Sequence, residues 1–177
     1  MKCFPFMHEI EGARVVLVGG GNIALHKAQR LAPFGVQLIV CAHEVLPELT
    51  VLAHAVYAEY APKFLDGASF AIAATDDRAL NARVCADCRA RHIPVNCVDD
   101  KENCDFFFPA LIVRGEVSIG VSTGGASPLL AALLRDRIIA RALPENLGEI
   151  VARAEQLRAA GDHEAYEREL RALLEES

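Results

Sequence analysis

The stretch VVLVGGGNIALHKAQRL, residues 15–31, runs from four apolar residues through three glycines into a helical pattern. An apolar run without polar alternation is typical of a parallel strand that is covered on both faces. Gly19 allows a tight turn, Gly21 lets a pyrophosphate approach the backbone, and Ala24 is small enough for close packing of helix on strand. The stretch predicts the first strand–turn–helix unit of a dinucleotide-binding domain, with a glycine-rich turn that binds nothing as the alternative.

From Arg14 to about Asp99, short apolar runs alternate with helical segments. Such alternation is typical of a doubly wound sheet, in which helices connect parallel strands. We therefore predict a Rossmann-like α/β domain over residues 1–109. The remaining predicted strands are LIV at 38–40, VYAEY at 56–60, FAIAA at 70–74 and PVNCV at 94–98, and the predicted helices cover 22–33 and 78–91.

The pattern changes after residue 105, where two strand-like runs follow each other directly. FFFPALIV and VSIGVST indicate strands that are joined by a tight turn at 114–116. Ser127 is a good N-cap, and Pro128 suits the first turn of a helix at 129–141. These features predict a small α+β region rather than a continuation of the parallel sheet.

The predicted helix at 129–141 is more apolar than a surface helix needs, because its apolar residues cover more than one face. We interpret this excess as a subunit contact, and we predict a homodimer with a dimerisation region over 110–145. Two shorter amphipathic helices, 146–159 and 163–175, are predicted to form a helical C-terminal segment over 146–177.

The composition excludes several classes of protein. The chain has 18 basic and 24 acidic side chains, a formal net charge of −6 and 53% hydrophobic residues, so a packed core is expected and wholesale disorder is not. The negative charge argues against nucleic acid or an anionic membrane as a partner. Apolar runs are too short to span a bilayer, and MKCFPFMHEIEGAR lacks the core of a signal peptide, so a cytoplasmic location with reduced cysteines is expected.

The end of the second predicted strand bears on the choice of cofactor. It continues as Cys41-Ala42-His43-Glu44, and Glu44 is the acidic residue nearest to the position that usually contacts the ribose. A solvated loop glutamate is an equal alternative. Because no Arg or Lys stands there to bind a 2′-phosphate, NAD is favoured over NADP.

Polar residues follow the fourth and fifth predicted strands, at the edge where a doubly wound sheet binds its ligand. Thr75 is therefore placed to contact the cofactor, whereas Asp77 is better explained as the N-cap of the next helix. Asp99 would be a general base if it were partly desolvated beside a nicotinamide, although aspartate is common in any loop.

The cysteines and histidines do not predict a metal site. Cys85 and Cys88 are spaced as C-x-x-C, but they fall within a predicted helix rather than on the turn of a zinc knuckle. The six histidines show neither an HxH nor an HExxH spacing. Small buried thiols are the expected state of the cysteines.

Four segments occur in the order VLVGGGNIALHKAQRL, LIVCAHEVLPEL, FAIAATDDRALNARVCADCRARHIPVNCVDD and FFFPALIVRGEVSIGVSTGGASPLLAALLR. They resemble the precorrin-2 dehydrogenase/sirohydrochlorin ferrochelatase module of siroheme synthesis, over about residues 8–145. The motifs ATDD, NxVD and VSTGGxSP carry the resemblance more than the glycines do. It implies NAD-dependent dehydrogenation of precorrin-2 to sirohydrochlorin in a stand-alone form, because the family's methyltransferase module is absent from this sequence.

The resemblance also implies roles for individual residues that bind the cofactor. Gly19 to Ile23 match the family's cofactor-binding turn, and His43 and Glu44 match positions beside the adenosine. Thr75 joins this set from its place at the strand end, independently of the resemblance. The predicted cofactor-binding residues are therefore Gly19, Gly20, Gly21, Asn22, Ile23, His43, Glu44 and Thr75.

Other matches concern the substrate. Asp99 matches the family's essential aspartate, so it becomes the expected catalytic residue. Asn96 of NxVD and Ser122 of VSTGG are expected beside the substrate, as is Thr123, which stands where family members often have a second serine. The segment 110–145 resembles the family's dimerisation region.

The chemistry implied for this family is coherent with the sequence. Oxidation of precorrin-2 removes a hydride, which NAD⁺ accepts, and a proton, for which Asp99 is the best available base. The tetrapyrrole substrate carries several carboxylates, so Arg114, Arg135 and Arg141 are candidate contacts, although each could be a solvated charge. Insertion of Fe²⁺ as a second substrate, with the same aspartate accepting pyrrole protons, is left open.

Two other functions compete with this one. A nucleotide-sensing regulatory module that binds NAD without catalysis would share the glycine turn and the ATxxD-like strand end, but it would not explain NxVD followed by VSTGGxSP. A dehydrogenase for another small substrate would need a His or Lys placed for hydroxyl chemistry, and none is evident.

Overall fold

The computed structural model describes residues 4–161 and 163–175. The chain divides into two compact units. One unit comprises Met7–Phe107, and the other comprises Phe108–Ser177 together with Met1–Phe6.

The domain boundaries predicted after residues 109 and 145 stay predictions. Residues 1–3 of the predicted domain 1–109 lie outside the described residues, as do Asp162 and residues 176–177 of the predicted C-terminal segment 146–177. Cys3 is therefore the one cysteine of the sequence to which the structure assigns no surroundings.

The first unit contains five strands and three α-helices. The strands are β1 (Arg14–Val18), β2 (Gln37–Cys41), β3 (Ala55–Tyr57), β4 (Phe70–Ala73) and β5 (Val95–Cys97), and the α-helices are α1 (Asn22–Leu31), α2 (Pro47–Leu52) and α3 (Arg78–Ala90). Neighbouring strands are parallel, in the order β3-β2-β1-β4-β5. This is the strand order of a doubly wound nucleotide-binding sheet, so the predicted Rossmann-like fold is confirmed.

Two local elements differ from the prediction. The six-residue helix α2, which starts at Pro47, was not predicted, because it is too short for a helical period to show in the sequence. The edge strand β3 is shorter than the predicted 56–60. Its Tyr57 is 41% exposed, whereas Tyr60 beyond the strand is buried and donates a hydrogen bond to Asp87 at 3.0 Å.

The core of this unit is centred on β1, where the run from Val15 to Val18 is buried. Val16 and Val18 belong to one cluster with Val84 of α3. Ala24 of α1 is also fully buried, which matches the close helix packing predicted for that position. Each fully buried aliphatic side chain contributes roughly 1.5–3 kcal/mol, so β1 holds the glycine turn that follows it in a fixed place.

The second unit begins with an antiparallel hairpin of β6 (Ala110–Arg114) and β7 (Val117–Val121). Helix α4 (Pro128–Ala142) packs against both strands. The Ser127 hydroxyl oxygen accepts a hydrogen bond from the Leu130 N–H at 3.1 Å, which confirms the predicted N-cap. The predicted change from parallel sheet to hairpin and helix is thus observed.

Two further helices, α5 (Leu147–Ala160) and α6 (His163–Glu175), follow in the same unit. Arg153 of α5 donates to Glu169 of α6 at 2.6 Å, which links the two helices. Within the described ranges, no helix combines the length and the apolarity that crossing a membrane requires.

Candidate functional site

The carboxyl ends of β1 and β4 meet at the middle of the parallel sheet. From β1 the chain continues to β2 on one side, and from β4 it continues to β5 on the other side. The two connections therefore diverge at this point, which is where doubly wound folds open a ligand-binding crevice. The Ala74 N–H donates to the Val18 carbonyl at 2.7 Å, so the two strand ends are held together at the base of the crevice.

The three glycines after β1 have different surroundings. Gly19 has a φ of +129°, and a Cβ there would lie 2.2 Å from the Ala74 carbonyl oxygen. A Cβ at Gly20 would lie 1.8 Å from the Glu44 carbonyl oxygen. At Gly21 a Cβ would meet no described atom within 4 Å. Gly19 and Gly20 are thus required by backbone packing, whereas Gly21 is open to a ligand.

Helix α1 begins directly behind this turn. Gly21 is its N-cap residue, no side chain of the described residues caps it, and its first turn contains no acidic residue. Asn22 and Ile23 of that first turn are exposed, with Ile23 55% exposed. The unpaired N–H groups and the positive end of the helix dipole fit a pyrophosphate at the open face of Gly21.

The loop after β2 packs its backbone onto the glycine turn. The Leu46 N–H donates to the Gly20 carbonyl at 3.0 Å. The side chains of His43 and Glu44 are exposed, and the Nε2 of His43 lies 3.3 Å from Glu59 Oε1. The loop therefore brings the backbone of Glu44 to the glycine turn and leaves the Glu44 side chain exposed.

Thr75, just beyond β4, is fixed by the buried side chain of Asn81 on α3. The Asn81 Oδ1 accepts from the Thr75 hydroxyl at 2.8 Å and from the Thr75 N–H at 3.2 Å. The Asn81 Nδ2 donates to the Thr75 carbonyl at 3.0 Å and to Asp99 Oδ1 at 3.1 Å. Asn81 is 1% exposed and thus joins the ends of β4 and β5 from within the protein. Sequence reasoning assigned it no role.

Asp77 caps the start of α3, as the sequence predicted. Its Oδ1 accepts hydrogen bonds from the Ala79 N–H at 2.8 Å and from the Leu80 N–H at 3.1 Å. This cap fixes the first turn of α3 and so the positions of Arg78 and Asn81 beside the strand ends.

Asp99, two residues beyond β5, has a side chain that is 25% exposed. Its Oδ1 accepts from the Cys97 thiol at 3.0 Å as well as from Asn81. The Arg78 Nε lies 3.9 Å from its Oδ2. The pKa of Asp99 is lowered from its usual value, and the hydrogen bond from Cys97 is the largest cause. Burial acts in the opposite direction and raises this pKa. Hydrogen bonds from the Asp99 backbone N–H and from Asn81, together with the charge of Arg78, lower it further. Asp99 is therefore ionised at neutral pH.

A cavity of about 180 Å³ opens at this carboxylate. It is smaller than the usual 300–1,000 Å³ of small-molecule sites, so it admits one edge or one side chain of a large ligand. Sequence reasoning missed Arg78 and Cys97, and the only signal for them was their closeness to strand ends. The polar side chains that line the cavity are those of Arg78, Asn81, Cys97, Asp99, Asp100 and Asn103.

Asn96, a predicted substrate contact, is buried in β5 and is only 4% exposed. Its Nδ2 donates to the Phe106 carbonyl at 2.9 Å, while its Oδ1 has no hydrogen-bond partner among residues 4–161 and 163–175. The prediction that Asn96 contacts substrate stays a prediction.

The described cysteines are free thiols. Cys41, Cys85, Cys88 and Cys97 are buried, and Cys104 is partly exposed. Burial raises the pKa of Cys41 to about 11 and that of Cys88 to about 12. In the part of the chain that the structure describes, no group of three His, Cys, Asp or Glu side chains is arranged to hold a metal ion.

The remaining predicted substrate residues belong to the second unit. Arg114 is exposed at the end of β6, and Ser122 is exposed beyond β7. The Thr123 hydroxyl accepts from the Ser127 N–H at 3.1 Å, so it is part of the turn before α4. Arg135 donates twice to Asp136, at 2.8 and 2.7 Å, and thus already has a carboxylate partner. Their roles stay predictions.

The parallel sheet, the glycine turn and the polar strand ends define a dinucleotide-binding protein of the Rossmann type. Residues 6–110 match the family described as "Putative NAD(P)-binding", and residues 114–141 match "Sirohaem biosynthesis protein central". The chain therefore belongs to the family described as "Putative NAD(P)-binding". Together with the sirohaem match, this confirms the resemblance inferred from the four sequence segments.

Relatives and a solved structure agree with this assignment. The siroheme synthase of Pseudomonas fluorescens (strain Pf0-1) is 43% identical over 163 residues, which are 89% of this chain and 35% of the relative. That of Azotobacter vinelandii (strain DJ / ATCC BAA-1303) is 42% identical over 164 residues, 90% of this chain and 35% of the relative. The chain thus spans about a third of the length of these relatives. The structure of SirC, precorrin-2 dehydrogenase, shares the fold with a TM-score of 0.72 at 22% identity, covering 97% of this chain and 89% of that one.

Proposed function

We propose that this chain catalyses the NAD-dependent dehydrogenation of precorrin-2 to sirohydrochlorin. The observation that carries the proposal is Asp99, an ionised carboxylate that lies at the mouth of a cavity and is bridged through Asn81 to Thr75 at the cofactor crevice. The names of the relatives and of the structural neighbour supply the substrate class.

The cofactor is held by the glycine turn and the two strand ends beside it. Gly21 and the first N–H groups of α1 bind the pyrophosphate, and Asn22 and Ile23 flank it. Glu44 accepts hydrogen bonds from the adenosine ribose, and its charge disfavours the 2′-phosphate of NADP. His43 lies beside the adenosine, and Thr75 contacts the nicotinamide half.

Asp99 accepts the proton that leaves the substrate. When bound, NAD⁺ accepts the hydride, so precorrin-2 and NAD⁺ give sirohydrochlorin, NADH and a proton. Arg78 lies exposed at the rim of the same cavity and binds a substrate carboxylate, a role that its planar guanidinium suits. A cavity of this size takes one edge of the macrocycle rather than the whole ring.

The second unit holds the remaining residues that the resemblance assigns to substrate binding and to a subunit interface. Ser122 and Thr123 lie in the turn between β7 and α4, and Arg114 is exposed on the hairpin. Arg135 would have to exchange its partner Asp136 for a substrate carboxylate. The exposed leucines of α4, which include Leu129 and Leu133, support a homodimer.

Insertion of Fe²⁺ into sirohydrochlorin is a second candidate activity. The specific observation in its favour is the same ionised Asp99, which can accept the protons that leave the pyrrole nitrogens. Its test is separate from that of the dehydrogenase. Siroheme that forms no faster with protein than in a protein-free mixture of Fe²⁺ and sirohydrochlorin would remove this activity.

The test of the dehydrogenase uses enzymatically made precorrin-2 and NAD⁺ under anaerobic conditions. We expect NADH and sirohydrochlorin absorbance to rise together, and NADP⁺ to support a slower reaction. A wild-type protein that binds NAD but forms neither product would overturn the proposal and favour a nucleotide-sensing module. The Asp99→Asn variant is the matched control, because it keeps the size of the side chain but removes the base.

A further inference from the structure

We propose that Asn81 and Cys97 are positioning residues that hold Oδ1 of Asp99, so that Oδ2 is the oxygen that receives the substrate proton. This inference rests on the proposed function, in which Asp99 is the base. It adds two buried side chains, Asn81 and Cys97, whose role is to fix the base relative to the cofactor-binding strand end through their hydrogen bonds.

Asn81 has its hydrogen-bonding capacity filled by two residues. Its Oδ1 accepts from the hydroxyl and the N–H of Thr75, and its Nδ2 donates to the Thr75 carbonyl and to Asp99 Oδ1, at distances of 2.8 to 3.2 Å. An amide with two acceptor and two donor contacts has one orientation, because a flip would bring donors against donors. Asn81 thus fixes Thr75 and Asp99 relative to each other.

Cys97 supplies the second hydrogen bond to the same oxygen. Its thiol lies 3.0 Å from Asp99 Oδ1, and burial raises the pKa of this thiol, so it stays protonated and can donate. Cys85 is its other hydrogen-bonding neighbour, but a neutral thiol is a weaker acceptor than a carboxylate. The donor therefore faces Asp99.

The two oxygens of Asp99 are thereby made different. Oδ1 receives two donors from within the protein, whereas Oδ2 lies on the side of Arg78, whose exposed guanidinium stands 3.9 Å away. The Oδ2 side is also the side from which a carboxylate of the substrate would approach Arg78. Holding Oδ1 orients the lone pairs of Oδ2 before the substrate arrives, which is the positional control that proton transfer needs.

Replacement of Cys97 tests this arrangement with little change in volume. Cys97→Ala removes the donor, and Cys97→Ser keeps one. We expect kcat to fall about tenfold in Cys97→Ala, because the free energy of one hydrogen bond to a charged group is lost. In Cys97→Ser, which keeps a donor, kcat should recover. Cys88→Ala is the control, because it removes a thiol from the same buried cluster without a contact to Asp99.

A second readout separates positioning from a merely structural role. Fewer donors to Asp99 raise its pKa, so the acid limb of kcat/KM should move to higher pH in Cys97→Ala and in Asn81→Asp, but not in Cys88→Ala. The charged and titratable neighbours of Asp99 at the cavity, Arg78 and Asp100, are unchanged in the Cys97 variants. In Asn81→Asp, which also places a second carboxylate beside Asp99, we expect kcat to fall about 10- to 100-fold.

Titration of the Asp99 carboxyl carbon by NMR measures the pKa of Asp99 directly, without turnover. An Asp99 titration and an acid limb that are identical in wild type, Cys97→Ala and Cys97→Ser would overturn the inference. If Asn81→Asp fails to fold, the Cys97 pair still decides. A wild type without precorrin-2 turnover would instead refute the proposed function, and the titration would then decide the hydrogen bonding alone.

Discussion

Gly19 lies against the carbonyl of Ala74 so closely that a Cβ at position 19 would stand 2.2 Å from that oxygen. The turn after β1 and the end of β4 therefore share one surface, and the crevice between them depends on a missing side chain. The positive φ of +129° at Gly19 adds a second reason for glycine.

Substitution of the glycines should separate folding from cofactor binding. Gly19→Ala meets backbone and a strained φ, so we expect a loss of stability on the order of 3 kcal/mol, measured by chemical denaturation. Gly21→Ala meets no described atom within 4 Å, and its φ of −89° suits alanine. It should keep the wild-type stability but weaken NAD binding in calorimetry. Equal destabilisation by both substitutions would contradict this reading of the turn.

The pH dependence of turnover should report Asp99. Its pKa is lowered, mainly by the Cys97 hydrogen bond, so the carboxylate stays ionised below the usual pKa of an aspartate. We expect kcat/KM to stay level as the pH falls through that usual range and to decline only below it. The stabilisation from its hydrogen bonds follows the same sign, being present above the usual pKa and lost as the pH falls through the lowered one.

Two variants check this assignment. Asp99→Asn should bind NAD yet lose about 10²- to 10⁴-fold in kcat, the range of a general base. Asp76→Asn, a change in an exposed aspartate at the neighbouring strand end, should leave the acid limb where it is. Turnover by Asp99→Asn at the wild-type rate would show that another group takes the proton.

The buried thiols should be inert in the folded protein. Cys41 and Cys88 have pKa values raised to about 11 and about 12, and both are almost fully buried, so an alkylating reagent at pH 8 should leave them unmodified. In denaturant, every cysteine should react. Peptide mapping by mass spectrometry distinguishes the sites, and rapid native modification of Cys88 would contradict its burial.

The same thiols should lower stability at alkaline pH. A thiol whose pKa is raised by folding contributes its full stability below the unfolded value, near 9, and loses it as the pH rises toward the folded value. We expect the free energy of unfolding to fall above about pH 9. Cys88→Ala should show a shallower fall than wild type, and an unchanged slope would count against the raised pKa.

The leucines of α4 should decide self-association. Leu129 and Leu133 are 69% and 57% exposed and lie one turn apart. Leu129→Asp/Leu133→Asp should convert the proposed dimer to monomer in sedimentation, because a buried charge at an apolar interface is unpaired. Val51→Asp, at an apolar residue of α2 that is 85% exposed, should leave the mass unchanged. A mass unaltered by the leucine changes would place the interface elsewhere.

Much of the fold could be predicted because its signals are local. The apolar run before Gly19 marks a buried strand, and Ser127 with Pro128 marks a helix start, since each pattern depends on neighbouring residues alone. Asp77 was predicted as a cap for the same reason, and its hydrogen bonds confirm it. The short helix α2 was not predicted, because six residues are too few to show the hydrophobic periodicity of a helix.

The chain itself determined the parallel Rossmann-like sheet, the glycine turn behind β1 and the choice of Asp99 as candidate base. Only the tertiary structure decided that Gly20 packs on Glu44 and that Asn81 and Cys97 both bond Oδ1 of Asp99. The hydrophobic periods of strands and helices repeat within a few residues, so they can be predicted from the sequence alone. The contact between Asn81 and Asp99, 18 positions apart, exists because the order β1-β4-β5 brings α3 and two strand ends to one edge of the sheet.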